Sequence, residues 1–117
     1  MKNKKYNLMG KYIIVTTTTD SKLNAQSIAA SLIESNLAAC VQIIPSVEST
    51  FKWEGSVNKE KEILVLIKTM DKFKENVKKQ IKNNHSYETP QIISFEFDIL
   101  DNNYKKWFDS SIGEKIE

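Results

Sequence analysis

The chain has 117 residues, of which 40% are hydrophobic and 27% are charged, as expected for one globular domain with a modest core. All 17 basic residues are lysine, and 15 acidic residues reduce the net charge to +2. Without arginine the chain lacks the planar group that binds phosphate in a bidentate manner, and its small net charge provides no concentrated field for nucleic acid.

The termini and the cysteine content bear on the cellular compartment. Residues 1–10 are predicted to be a flexible N-terminal tail on a single domain that spans residues 11–117. This tail has no apolar run of signal-peptide length, and no later segment approaches the length that crosses a membrane. Cys40 is the only cysteine, so an internal disulfide is impossible, which is typical of a reducing compartment. We therefore predict a cytoplasmic protein without a membrane partner.

A strand and a helix are the first predicted elements. Residues 12–18 are rich in β-branched side chains, which favour a strand. Asp20 or Ser21 can cap the helix that follows, because their side-chain oxygens accept hydrogen bonds from free backbone N–H groups. Asn36 is expected to end this helix. The apolar residues of the helix fall on one face and are Ala25, Ile28, Ala29, Leu32 and Ile33.

A long β-hairpin is predicted next, from two apolar runs, Leu37–Trp53 and Ile63–Met70, that flank the polar segment Glu54–Glu62. The first run would be about 55 Å long at ~3.3 Å per residue, whereas a globule of this size is about 35 Å across. We expect this strand to bend at Pro45, and its outer half to project and pair with another copy of the chain. The second run is apolar on both faces, which predicts a central strand.

A second amphipathic helix is predicted after the hairpin. Asp71 can cap its N-terminus, and Phe73, Val77 and Ile81 form its apolar stripe. Pro90 lies beyond its end, where a helix cannot continue.

A strand and a short helix complete the predicted fold. The strand alternates apolar and polar residues, so one of its faces should be buried. Its apolar positions are Ile93, Phe95, Phe97 and Ile99. The helix begins after Asp101 or Asn102, and its apolar side consists of Tyr104, Trp107, Phe108 and Ile112. The order βαββαβ predicts an α+β fold, a ferredoxin-like sandwich with a long β-hairpin and a C-terminal helix.

Fold alone does not define function, so the residue types must distinguish between classes of protein. An RNA-binding domain of this shape needs aromatic rings on its central strands, but the third predicted strand is aliphatic. A hydrolase would have to use Cys40 and His85, the only cysteine and the only histidine. Because Cys40 lies in an apolar run that is typical of a buried, unreactive thiol, we predict that the protein is not an enzyme. Rapid labelling of Cys40 in the native protein would revive the hydrolase hypothesis.

Polar residues are predicted at several ends of the apolar strands. They are Trp53 and Glu54 beside the hairpin turn, Lys68 at a strand end, and His85, Tyr87 and Glu88 before the last strand. An imidazole, a carboxylate and a phenol together could bind a divalent metal ion or a small polar ligand. Each residue also has a structural explanation; for example, Lys68 can end its strand in water.

Five segments resemble the CutA family, the divalent-cation tolerance proteins. In chain order they are residues 37–45, 49–55, 67–69, 85–90 and 104–107. The resemblance runs from about Lys11 to Ile112. It implies a ferredoxin-like fold assembled as a homotrimer, in which the long hairpin crosses between subunits. It also implies a similarity to the trimeric PII signalling proteins, which hold ligands in clefts between subunits.

The same resemblance implies a role in metal tolerance, with copper (Cu²⁺) or another divalent cation as the ligand. The residues expected in the ligand-binding cleft are Cys40, Trp53, Glu54, Lys68, Tyr87, Glu88 and Trp107, and His85 is the expected metal ligand. The chain departs from the family by having Ser86 in place of a proline and Gln42 in place of an asparagine. A copper-binding pattern of one cysteine and two histidines corresponds here to Thr17, Asn84 and His85. The resemblance leaves a PII-like signalling protein, or a scaffold that docks a protein partner without metal, as the alternative.

Overall fold

The computed structural model describes residues 11–113 and has the predicted order of secondary structure. The strands are β1 (Tyr12–Thr19), β2 (Cys40–Trp53), β3 (Ser56–Met70) and β4 (Ile93–Phe97). The helices are α1 (Lys22–Glu34), α2 (Lys74–Asn84) and α3 (Asn102–Ser110). The tail predicted at residues 1–10 lies outside the described residues.

The four strands form one antiparallel sheet in the order β2-β3-β1-β4, so β3 is central as predicted. Helices α1 and α2 cover one face of this sheet. The main core lies between them and consists of Ile13, Val15, Ala25, Ile28, Leu32, Ala38, Val65, Ile67, Val77 and Ile81. The structure therefore confirms the α+β, ferredoxin-like architecture.

The hairpin between β2 and β3 is longer than the sequence pattern predicted. Its turn is the dipeptide Glu54-Gly55, in which both residues have positive φ (49° and 83°), as a tight hairpin turn requires. The polar segment Glu54–Glu62, which the sequence places between the two apolar runs, is therefore a turn only at Glu54-Gly55. Residues 56–62 belong to β3, because the backbone of β2 pairs with them despite their charged side chains.

The projection of this hairpin is confirmed. The register of β2 against β3 shifts between Ile44 and Val47, around Pro45, which lacks the N–H that a ladder needs. The described chain measures 54 × 28 × 24 Å. Its radius of gyration is 15.9 Å, whereas a compact chain of this length would have ~13 Å.

The helix caps were predicted correctly in part. Ser21 caps α1 by accepting from the backbone N–H of Asn24, and Asp101 caps α3 by accepting from that of Tyr104. Asp71 does not cap α2; it begins a short 3₁₀ turn, Asp71–Phe73, and α2 starts at Lys74 without a side-chain cap. Within residues 11–113, none of the helices is long and apolar enough to cross a membrane.

The prediction that β4 has a buried apolar face is half wrong. Phe97 and Ile99 pack against a second core cluster that contains Phe108 and Ile112. Ile93 and Phe95, however, are 55% and 50% exposed. Their partners in β1 belong to the face opposite α1 and α2, which no helix covers at this position. The chain by itself therefore leaves an apolar surface open.

Candidate functional site

His85 fastens the segment of residues 85–91 to the end of β1. Its Nε2 atom lies 2.9 Å from the carbonyl oxygen of Thr18 and 3.1 Å from the Oγ1 of Thr17. The backbone N–H of Tyr87 donates to Nδ1 at 2.9 Å. Because Nδ1 accepts, the proton of the neutral ring must be on Nε2, where it is donated to Thr18. Both ring nitrogens are thus engaged within the chain.

Burial is the main cause that lowers the pKa of His85 from its ordinary value of 6.5. The carbonyl of Thr18 and the carboxylates of Asp20 and Glu62 act in the opposite direction. The neutral form that burial favours is also the form that the hydrogen bonds require, since a protonated Nδ1 cannot accept from Tyr87.

We expect the free energy of unfolding to decrease as the pH falls from about 8 to about 5.5, where histidine ordinarily titrates. A lowered pKa in the folded state means that the unfolded chain binds more protons in this range, so stability rises with pH. His85→Gln retains an N–H donor toward Thr18 but cannot titrate. Urea denaturation of both proteins across this range should show a weaker pH dependence for the variant, and an equal dependence would contradict the assignment.

Tyr87 connects this segment to the hairpin. Its hydroxyl donates to the Oε2 of Glu62 at 2.7 Å, and its ring lies 4.9 Å from that of His85. Burial, followed by the hydrogen bond and the charge of Glu62, raises the pKa of Tyr87 well above 10. The phenol therefore stays protonated and holds the carboxylate of Glu62 in place.

A groove of about 550 Å³ lies beside this hydrogen bond, and we call it the hairpin groove. It is formed by the outer parts of β2 and β3, the end of β1 and the segment that follows His85. Its lining residues are Thr18, Ser49, Thr50, Phe51, Trp53, Glu60, Glu62, Tyr87, Thr89 and Gln91. Two carboxylates, several hydroxyl groups and three aromatic rings thus face one space.

The structure brings only some of the predicted cleft residues together. Trp53 and Tyr87 line the hairpin groove, and Glu54 lies in the turn next to Trp53. Glu88 is exposed and follows Tyr87 in the chain without lining the groove.

The remaining predicted cleft residues lie elsewhere in the single chain. Cys40 and Lys68 are partners in the β2–β3 ladder at the end of β2 that is far from the turn. Trp107 is on α3 and is 47% exposed. The three do not line the hairpin groove, so the single chain forms only part of the predicted cleft.

Sequence reasoning missed Glu60 and Glu62, because both lie in the polar segment between the two apolar runs from which the strands were predicted. The available signal was their spacing from Leu64. Residues 60, 62 and 64 are two apart, so their side chains lie on one face if the strand continues toward the turn.

A cysteine–histidine pair is not formed. His85 contacts Thr17 and Thr18, which pair with Val65 and Leu64, whereas Cys40 pairs with Lys68. These positions are offset by three to four residues along β3, roughly 10 Å at ~3.3 Å per residue, and β3 also lies between β2 and β1 in the sheet. The geometry therefore gives no support to a hydrolase that uses both residues.

The residues of the copper-binding pattern do not form such a site within one chain. Thr17 contacts His85, and the side-chain amide of Asn84 donates to the carbonyl of Gln80. Residues 11–113 contain no group of three or more His, Cys, Asp or Glu side chains that could hold a metal ion. Oxygen donors without a thiolate or a free imidazole do not suit copper.

Comparisons with known proteins agree with this architecture. The family model described as CutA1 divalent ion tolerance protein matches residues 13–111. The chloroplastic protein CutA 1 of Oryza sativa subsp. japonica is 34% identical over 102 residues, which are 87% of this chain and 58% of that protein. The chain thus spans little more than half of this plant relative.

Two further matches cover nearly the full length of the protein compared. The divalent-cation tolerance protein CutA of Thermus thermophilus is 33% identical over 100 residues, which are 86% of this chain and 97% of that protein. The crystal structure of CutA1 from Oryza sativa has a TM-score of 0.85 and 32% identity, over 92% of this chain and 99% of that one. The chain therefore belongs to the CutA family of divalent-ion tolerance proteins.

Proposed function

We propose that this protein acts in the tolerance or homeostasis of divalent metal ions as a homotrimer, and that it catalyses no reaction. It binds a cation or a small ligand in a cleft between subunits, and the hairpin groove contributes to that cleft. The observation that carries the proposal is the Glu62 carboxylate, held by Tyr87 and accompanied by Glu60 in the same groove. Relatives named divalent-cation tolerance proteins support the metal part.

The homotrimer is supported by surfaces that one chain leaves uncovered. Ile93 and Phe95 are about half exposed on the sheet face that lacks helices. β2 and β4 are both edge strands, and the hairpin extends the molecule to 54 Å. Contact with further copies would bury the apolar face and pair the open edges.

The identity of the metal follows from the donor groups. Carboxylate oxygens suit hard divalent ions, whereas copper and zinc favour imidazole or thiolate ligands. A copper site would need His85 to release one of its hydrogen bonds and to combine with groups from a neighbouring copy. We propose the cytoplasm as the compartment because Cys40 is a free thiol, although the rice relative is named chloroplastic.

Calorimetric titration of the metal-free protein with the hard ions Mg²⁺, Ca²⁺ and Mn²⁺, and with Cu²⁺, Zn²⁺ and Cd²⁺, tests the metal part. We expect saturable binding of a divalent ion. Its affinity should fall by about tenfold in Glu62→Gln if Glu62 is the ligand, and in His85→Ala if His85 is the ligand. Lys59→Gln, on the opposite face of β3, is the matched control and should bind like the unmodified protein. Absence of heat with every ion, or heats that neither substitution changes, would contradict metal binding at this site.

A PII-like signalling or scaffold role is the second candidate. It is favoured by the absence of a three-ligand metal cluster in residues 11–113 and by exposed apolar side chains such as Leu100 (92%) and Trp107 (47%). Affinity capture with and without a chelator separates the two roles. A scaffold should retain its partner when metal is removed, whereas a metal-dependent interaction should be lost.

A further inference from the structure

The outer half of the hairpin separates its charges between two faces. Val47 pairs with Glu62 and Ser49 with Glu60, so these four side chains point to one side. The alternate pairs place Lys59 and Lys61 on the other side, together with Glu48, which is the partner of Lys61. Although the chain has 17 lysines, none of those within residues 11–113 lines the hairpin groove. The groove is therefore anionic in a protein whose net charge is positive.

Aromatic rings form the apolar part of the same groove. In the single chain Phe51 and Trp53 are 39% and 63% exposed, and both line the groove together with the ring of Tyr87. The face of an aromatic ring carries negative potential and attracts cations, most strongly in tryptophan. Carboxylates and ring faces thus both attract a positive charge on a ligand, and the rings also pack against an apolar part of that ligand.

We propose that the hairpin groove binds an organic primary ammonium cation that has an apolar body. The ammonium group donates hydrogen bonds to the carboxylates of Glu60 and Glu62, and the apolar body packs against Phe51 and Trp53. This inference rests on the proposed function and names the class of ligand that the cleft takes.

The size of the groove favours such an organic ligand over a bare metal ion. Its volume of about 550 Å³ falls within the range of sites for small organic molecules, which is roughly 300–1,000 Å³. A metal ion would leave most of that space to water, and the groove offers it only two ionisable ligands of the carboxylate type. Hydroxyl groups of Ser49 and Thr89 are further acceptors for an ammonium group.

The experiment is a calorimetric titration of the assembled full-length protein with 2-phenylethylammonium chloride. The neutral isostere 2-phenylethanol serves as the control ligand, because it has the same ring and chain without the charge. We expect saturable binding of the ammonium ion and at least about tenfold weaker binding of the alcohol. Binding of both with equal affinity would overturn the assignment of the carboxylates, and no binding of the ammonium ion would overturn the proposal.

Two variants test whether the ammonium ion binds in the hairpin groove. Glu60→Gln combined with Glu62→Gln removes both charges while an amide oxygen still accepts from Tyr87, so the fold should persist and affinity should fall by about tenfold or more. Lys59→Gln changes one charge on the opposite face and should leave affinity within about twofold. Unchanged affinity in the double variant, verified as folded by circular dichroism, would place the binding elsewhere and overturn the proposal.

Titrations of the same samples with divalent metal ions distinguish this inference from the metal binding of the proposed function. Heats with a divalent ion but none with the ammonium ion would overturn this inference alone and leave the proposed function standing. Absence of both would overturn both. Ammonium binding without metal binding would support the inference and remove the metal part of the proposed function.

Discussion

Phe95→Glu is expected to convert the proposed homotrimer into single chains. Phe95 is 50% exposed on the helix-free face of the sheet, where its partner in β1 is Ile14. Burying a fully exposed phenylalanine contributes about 1.5–3 kcal/mol, so covering the exposed half of Phe95 contributes about half of that. An unpaired carboxylate at that place would cost several kcal/mol more. Light scattering during gel filtration should give about three times the chain mass of 13.5 kDa for the unmodified protein and one chain mass for the variant.

The control for this experiment is Gln26→Glu, which adds the same charge at an exposed position of α1. It should remain trimeric, because α1 lies on the other side of the sheet. A variant at Phe95 that stays trimeric would show that this face is not the interface. A stable, folded single chain of the unmodified protein in dilute buffer would contradict the trimer altogether.

Phe108→Ala is expected to lower the free energy of unfolding by about 3–5 kcal/mol, the usual cost of removing a buried phenylalanine. Phe108 is fully buried, and its ring meets that of Tyr12 edge to face at 5.1 Å and that of Phe97 at 6.1 Å. Its loss would leave a cavity between α3 and the sheet. Urea denaturation at a fixed protein concentration measures the change, since the proposed assembly would make stability depend on concentration.

Tyr104→Ala is the matched control on the same helix. Tyr104 is 37% exposed and its ring lies 6.2 Å from that of Phe108, so its truncation should cost about 1–2 kcal/mol, less than that of the fully buried Phe108. An equal decrease in the free energy of unfolding in the two variants would mean that α3 is not anchored mainly through Phe108. The hydrogen bond of 2.7 Å between the hydroxyl of Tyr12 and Asp109 is a second attachment of α3, and it should persist in both variants.

Local chemistry made much of the fold predictable. Ser21 and Asp101 cap their helices because a short polar side chain satisfies a backbone N–H at a helix start, and this requires only a few neighbouring residues. Hydrophobic periodicity predicted the buried stripe of α2, where Val77 and Ile81 are fully buried.

Predictions failed where the outcome depends on a distant partner. Residues 56–62 look like a solvated loop because their own side chains are charged, but the pairing of their backbone with β2 makes them a strand. Phe95 alternates with polar residues as a core strand would, yet nothing in that pattern shows which sheet face the helices cover.

The sequence by itself determined the order of the elements, the caps of α1 and α3, and a hairpin too long for a single globule. Only the tertiary structure decided that Tyr87 reaches Glu62, 25 residues away, and that Glu60 shares the same groove. The physical reason is that strand register sets which side chains face each other, and register is fixed by long-range backbone pairing and by the core beneath it, which local propensity does not encode.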